Sequence, residues 1–184
     1  MKIEVKKIKH SPSLSEETNA FVADLYIDDE KVGTCKNSGQ GGSTDIYPEY
    51  STNEDRTKYF RKKIKQAEAF CKTLPGIKSS FGDKDLEMDL EFFVDLEVEK
   101  ELRKKDVQKI LKRIDKDCLK HIVIMSKKVH DNFIAGKSSE IPYKLFGWKR
   151  LIADVPTEVI IKQLPNIKAQ LIGDTFIYNQ NLPK

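Results

Sequence analysis

The stretch Asn19–Cys35, "NAFVADLYIDDEKVGTC", decides how the rest of the chain is read. Phe21, Ala23, Leu25 and Ile27 alternate with Val22, Asp24 and Tyr26, the two-residue period of a strand with one face buried. The polar run Asp28-Asp29-Glu30-Lys31 interrupts the pattern, and "KVGTC" resumes it. Residues 20–36 are therefore expected to form an antiparallel hairpin. Upstream, "KIEVKKIK" sets Ile3, Val5 and Ile8 among lysines, which is a further half-buried strand with a charged outer face.

Downstream lies "KNSGQGGSTD", Lys36–Asp45, with three glycines in four residues. A nucleotide-binding loop of the Gly-Lys-Ser/Thr kind needs its lysine at the mouth of a helix, and here the sequence reads "GGSTD". Consecutive glycine amides can still form an anion-binding nest, so Gly41, Gly42, Ser43 and Asp45 are candidate ligand-loop residues. The competing reading is a turn in which glycine supplies positive φ angles, and it is preferred.

A helix is expected over residues 51–74. Ser51 and Glu54 have capping-box spacing, and Pro75-Gly76 is a stop. Phe60, Ile64, Ala67, Cys71 and Leu74 form its apolar stripe, and Lys58, Arg61, Lys62, Lys65 and Lys72 fall on the opposite side. Residues 85–98 carry two patterns. Leu86, Met88, Leu90, Phe92, Val94, Leu96 and Val98 alternate as in a strand, and Leu90, Phe93, Val94 and Val98 suit a helix. The reading adopted is a short strand near Asp85–Met88, then Asp89 capping a long helix to about Asp117. Seven acids and no base lie between Asp85 and Glu99, and eight bases with three acids between Lys100 and Lys116. Acids first and bases last complement the helix dipole, which accounts for the split without a partner.

The remainder, residues 119–184, is expected to alternate strands and a helix. "LKHIVIMSK" and "YKLFGWKR" read as strands around a polar loop, "DVPTEVIIKQLPNIKAQLIG" as a C-terminal helix, and "DTFIYN" as a last short strand. The expected fold is α+β, a mainly antiparallel sheet packed with two long helices and a C-terminal helix in a single domain over residues 1–184.

At 184 residues, with 39% hydrophobic and 9% aromatic content, the chain has material for a core. Its 33 basic and 29 acidic side chains leave a mild formal charge of +4, so any electrostatic argument rests on distribution. The longest clean apolar run, Ile122–Met125, is far below the roughly 18 residues of a membrane span, and the lysine-rich start has no signal-peptide character. Three separated cysteines, Cys35, Cys71 and Cys118, suit free thiols in a reducing cytoplasm. Cys35, beside the glycine loop, is the one to test for reactivity, although a small buried residue is the favoured reading.

His10, His121 and His130 have no metal-ligand spacing. His121 is read as structural at the start of a strand and His130 as a solvated loop residue. The pairs Asp29/Lys31 and Glu4/Lys6 have the acid-x-Lys spacing of metal nucleases, a pattern that chance supplies readily in a chain 34% charged. No nucleophile, base and metal-ligand set can be assembled, so no catalytic residue, metal or cofactor is assigned. A basic surface is a better but unspecific signal: the helix-one row above, joined by Lys127, Lys128, Lys144, Trp148, Lys149 and Arg150, where lysines could neutralise phosphates and an aromatic stack a base. The competing reading, a solvated charged face with the strand aromatics turned into the core, is preferred on the residues alone.

The run "ETNAFVADLYIDDEKVGTCKNSGQGGSTD", the stop "AEAFCKTLP" and the later "YKLFGWKR" before "DVPTEV" resemble a pattern in small uncharacterised proteins of phages and mobile elements. That resemblance implies an accessory or counter-defence factor in the host cytoplasm, such as an anti-CRISPR inhibitor acting on an RNA-guided nuclease or its guide RNA. The expected partner is a host protein or ribonucleoprotein, with RNA as a possible contact and no membrane. The alternative is a nucleotide- or small-ligand-binding protein, or an enzyme, with its site in loop 37–45.

Overall fold

The computed structural model describes residues 1–78, 85–118, 123–135, 149–150 and 175–178. The fold is α+β, and every strand pair among the described residues is antiparallel. The chain divides into two compact units, Met1–Glu101 and Leu102–Lys184.

The first unit is built on a four-stranded meander of β1 (Ile3–His10), β2 (Phe21–Ile27), β3 (Glu30–Asn37) and β4 (Asp45–Pro48), in that spatial order. Phe21, Ala23, Leu25 and Ile27 are all buried, as their alternation demands. Leu25, Ile27 and Val32 are sealed completely, each contributing about 2 kcal/mol by leaving water. The two-residue turn between β2 and β3 uses Asp28 and Asp29 at φ 49° and 68°. Both are left-handed, which is the twist a tight hairpin wants, and aspartate tolerates it better than most side chains. A bulge interrupts β1 where the register slips between Lys6 and Lys9, with Lys7 at φ 52°. β1 and β4 are the edges of this sheet.

β4 is a strand that the sequence reading did not anticipate. It pairs Asp45–Pro48 with Gly33–Lys36. The approach is close at Gly33, where a Cβ would collide with the Tyr47 carbonyl and touch Ile64 of the following helix.

That helix, α1 (Glu54–Cys71), starts two residues later than a Ser51 cap would require. Asn53 is the cap: its side-chain oxygen accepts from the amides of Asp55 (2.9 Å) and Arg56 (3.3 Å). Ser51 instead accepts from the Asn53 amide at 3.2 Å, because it sits too early to reach the helix's orphan donors. Phe60, Ala67 and Cys71 are buried along one face and Ile64 is half-buried. A small hairpin of β5 (Ile77–Lys78) and β6 (Asp85–Leu86) follows.

α2 (Leu90–Cys118) begins as expected, with the Asp89 carboxylate accepting from the Phe92 amide at 2.7 Å. In the first unit Leu90, Val94 and Val98, four residues apart, are buried, whereas Phe92 and Leu96 between them are only half-buried, so the stretch is helix from Leu90 onward, after the two-residue strand β6.

In the second unit, α2 buries Ile114. β7 (Val123–Ser126) lies between β8 (Lys149–Arg150) and β9 (Thr175–Ile177). Residues 128–134, read from sequence as part of a polar loop, belong to the helix α3 (Lys127–Ile134), with Phe133 buried. The expected C-terminal helix and most of "YKLFGWKR" lie outside the described residues.

Candidate functional site

The cations of α1 divide into two sets. On one flank Arg56 reaches Glu30 (3.6 Å), Lys63 reaches Asp28 (3.4 Å) and the Tyr59 hydroxyl donates to Glu30 (3.0 Å). These contacts fasten the helix to the β2–β3 turn. The other set is the expected row, Lys58, Arg61, Lys62, Lys65 and Lys72, and all five are exposed. Lys58 has an i,i+3 partner in Asp55 at 3.6 Å and Lys72 an i,i+4 partner in Glu68 at 3.7 Å. Among the described residues Arg61, Lys62 and Lys65 have no ion-pair partner. At 1.5 Å per residue the row runs about 21 Å. Like charges at i,i+4 (Lys58 with Lys62, Arg61 with Lys65) each cost the helix about 0.2–0.5 kcal/mol, so the row does not stabilise α1.

The glycine loop is organised from within. Asn37, 5% exposed, is its hub. The Asn37 oxygen accepts from the Gly39 amide (2.8 Å) and the Thr18 hydroxyl (2.9 Å), and its amide donates to the Gly42 carbonyl (3.1 Å) and the Thr44 hydroxyl (3.0 Å). Thr44, fully buried, donates onward to Asp95 of α2 at 2.5 Å. Gly39 and Gly41 have φ of 88° and 81°, and a Cβ at Gly39 would strike the Leu14 carbonyl. The Gly39 carbonyl gathers the amides of Glu16, Glu17 and Thr18. The Gly39 and Gly41 amides are thus spent inside the turn, the latter on the Thr18 hydroxyl at 3.3 Å. Gly41, Gly42, Ser43 and Asp45 are exposed, and Asp45 accepts from the Tyr47 hydroxyl at 3.1 Å.

The charge around this loop is negative. Burial lifts the Asp95 carboxyl above its ordinary range, helped by Asp89 and opposed by the Thr44 hydrogen bond. Burial lifts Glu91 as well, with Asp89, Asp95 and Asp45 adding to it. Sequence reasoning missed Asn37 and Asp95, because their coupling joins residues far apart in the chain.

No family model, characterised protein or solved structure matches this chain. Function must therefore be argued from the residues themselves. Among the described residues no helix is long and apolar enough to cross a membrane, and no group of three or more histidine, cysteine or acidic side chains is placed to hold a metal. The acid-x-Lys pairs are engaged with ordinary neighbours. Glu4 meets Lys2 and Lys6 at 3.0 and 3.1 Å, Asp29 meets Lys2 at 2.7 Å, and Lys31 bridges Asp24 and Glu49. Cys35 is fully buried and its thiol is pushed up to about 12 by burial; burial likewise takes Cys71 to about 11. Neither has the electropositive, accessible setting a nucleophilic thiol needs.

In the second unit Lys127 and Lys128 are exposed in the first turn of α3. Lys149 and Arg150 fall in β8, their side chains outside the described residues, as are Lys144 and Trp148 altogether. His130, expected to be solvated in a loop, is instead half-buried in α3, its ring nitrogen 2.8 Å from the Tyr178 hydroxyl and the two rings edge-on at 5.3 Å.

Proposed function

We propose that this protein is a non-enzymatic binder that docks on the nucleic-acid component of a nucleoprotein through the outer face of α1, and thereby blocks or misdirects it. The observation that carries this reading is the exposed trio Arg61, Lys62 and Lys65, flanked by Lys58 and Lys72 and free of ion-pair partners among the described residues. Unpaired cations in a helical row can each displace a counterion from a phosphate, which supplies affinity without base readout. An RNA-guided nuclease or its guide RNA is the host target that the sequence resemblance suggests. A ligand site at residues 37–45 is less favoured, since the amides of Gly39 and Gly41 are already committed.

The test is fluorescence anisotropy with a labelled structured RNA over a salt series. The log of the affinity should fall by roughly 0.7–0.9 per phosphate contact for each decade of salt. Reversal of the trio (Arg61→Glu, Lys62→Glu, Lys65→Glu) should abolish binding with the helix content intact. Unchanged binding by that folded variant would remove α1 as the contact surface.

A further inference from the structure

The second half of α2 carries a basic row of its own. Lys105, Lys109, Lys112 and Lys116 recur at i, i+4, i+7 and i+11, and all four are exposed. Ile114, 1% exposed, marks the buried face. At 100° per residue the four lysines lie within about 60° of one another, directly opposite Ile114. Asp106 pairs with Lys109 at 3.1 Å from the side of the row. Among the described residues Lys105, Lys112 and Lys116 have no ion-pair partner.

The helix dipole does not account for this row. Its favourable field for cations fades within the last turn, so it reaches Lys116 and leaves Lys105, Lys109 and Lys112 unexplained. The spacing itself works against the helix. Lys105 with Lys109, Lys109 with Lys112 and Lys112 with Lys116 are three adjacent like-charge pairs, each unfavourable by about 0.2–0.5 kcal/mol. An i,i+3 pair with Asp106 returns about as much as one of them. Lysines scattered around the exposed surface would keep the protein equally soluble without that penalty. The row spans about 16 Å, and a duplex presents a phosphate every ~3.4 Å of axis on each strand, so four or five phosphates lie along its length.

We infer that Lys105, Lys109, Lys112 and Lys116 form a second nucleic-acid surface, in the unit that does not hold the α1 row, which takes the phosphate backbone of a duplex. The inference shares its ligand class with the reading of α1 and rests on different residues. A stiff duplex suits it because the cations share one helical face within about 60° and recur at near-even rises of about 6, 4.5 and 6 Å.

The test is anisotropy of the full chain on a labelled DNA duplex and on an RNA duplex of the same sequence. Lys105→Gln/Lys112→Gln/Lys116→Gln is expected to bind about a hundredfold more weakly at about 0.1 M salt, with the salt slope shallower by roughly 2–3. Glutamine has nearly the helix propensity of lysine, so a circular dichroism spectrum matching the parent protein shows that the loss is not unfolding. Loss on both duplexes supports the inference, and loss on one alone supports it and identifies the sugar backbone read. If this variant weakens while Arg61→Gln/Lys62→Gln/Lys65→Gln binds normally, the α2 surface stands and the α1 reading falls. If the folded α2 variant keeps the parent affinity and slope, the inference is overturned whatever α1 does. If its loss appears only on phosphatidylserine vesicles, the nucleic-acid assignment is overturned.

Discussion

Replacing Asn37 with alanine removes the hub of the glycine turn, and the size of the effect can be worked from its contacts. Four hydrogen bonds disappear, to Thr18, Gly39, Gly42 and Thr44. At a net of about 1 kcal/mol each, the ceiling is about 4 kcal/mol. The Thr18 hydroxyl and the Gly42 carbonyl lie near the surface and recover water, and Thr44 keeps its bond to Asp95. The loss should therefore be about 2–3 kcal/mol, confined largely to β3, β4 and the loop between them. Hydrogen exchange read by mass spectrometry is the right assay, because a two-unit chain need not unfold in one step. Amides of residues 33–37 and 45–47 should exchange about 30- to 150-fold faster. Exchange within threefold of the parent at those amides would show that the hydrogen bonds are replaceable, and would refute the view that Asn37 holds the turn together.

Gly39→Ala should destabilise the same region by about 2 kcal/mol or more, since a left-handed φ and a collision with the Leu14 carbonyl act together; a denaturant midpoint equal to the parent's would contradict this. Asp95→Asn preserves an acceptor for Thr44 and removes a partly buried charge. The folded-state pKa of Asp95 lies above its unfolded value, so its favourable contribution is complete below the unfolded pKa and is lost as pH rises through the folded one. The variant should thus be more stable than the parent at pH 7 and equal to it at about pH 3, as read from urea midpoints; a gain of the same size at both values would mean that charge is not the cause. Cys35 and Cys71, with thiols pushed up to about 12 and about 11, should resist thiol reagents at pH 8 until the protein is denatured; rapid labelling of Cys35 on a peptide map would overturn its reading as an inert core residue.

Patterns that repeat within one element were legible in the sequence. The β2–β3 hairpin was readable because Phe21 to Ile27 alternate without a break, and α1 because Phe60, Ala67 and Cys71 return at helical spacing to one buried side. Asp89 was readable as a cap because a short polar acceptor stands directly before an apolar run. What was hidden depends on distance along the chain or on brevity. β4 has four residues, too few for alternation to declare itself, and exists because Gly33 lets it come close. The link from Asn37 through Thr44 to Asp95 joins a loop to a helix some fifty residues on, and no local pattern encodes it. α3 holds only a few apolar side chains among polar ones, so its helical period was easily taken for a loop. The α1 row was visible at once. In α2 the sequence showed the split of charge along the helix but not the single face its lysines share, and the dipole accounts for cations in the last turn alone.

The bulge in β1 and the brevity of β4 have a consequence for the protein in concentrated solution. A meander sheet ends in two strands whose outer amides and carbonyls face no partner, and a passing extended chain can pair with such a border and begin an aggregate. Here one border is broken at Lys7, whose left-handed backbone turns the pairing groups out of line within a lysine-rich segment, and the other stops after four residues at Pro48, which has no amide to offer. Both borders are thereby poor templates for a growing fibril, so the sheet that organises the first unit carries its own guard against cross-β pairing.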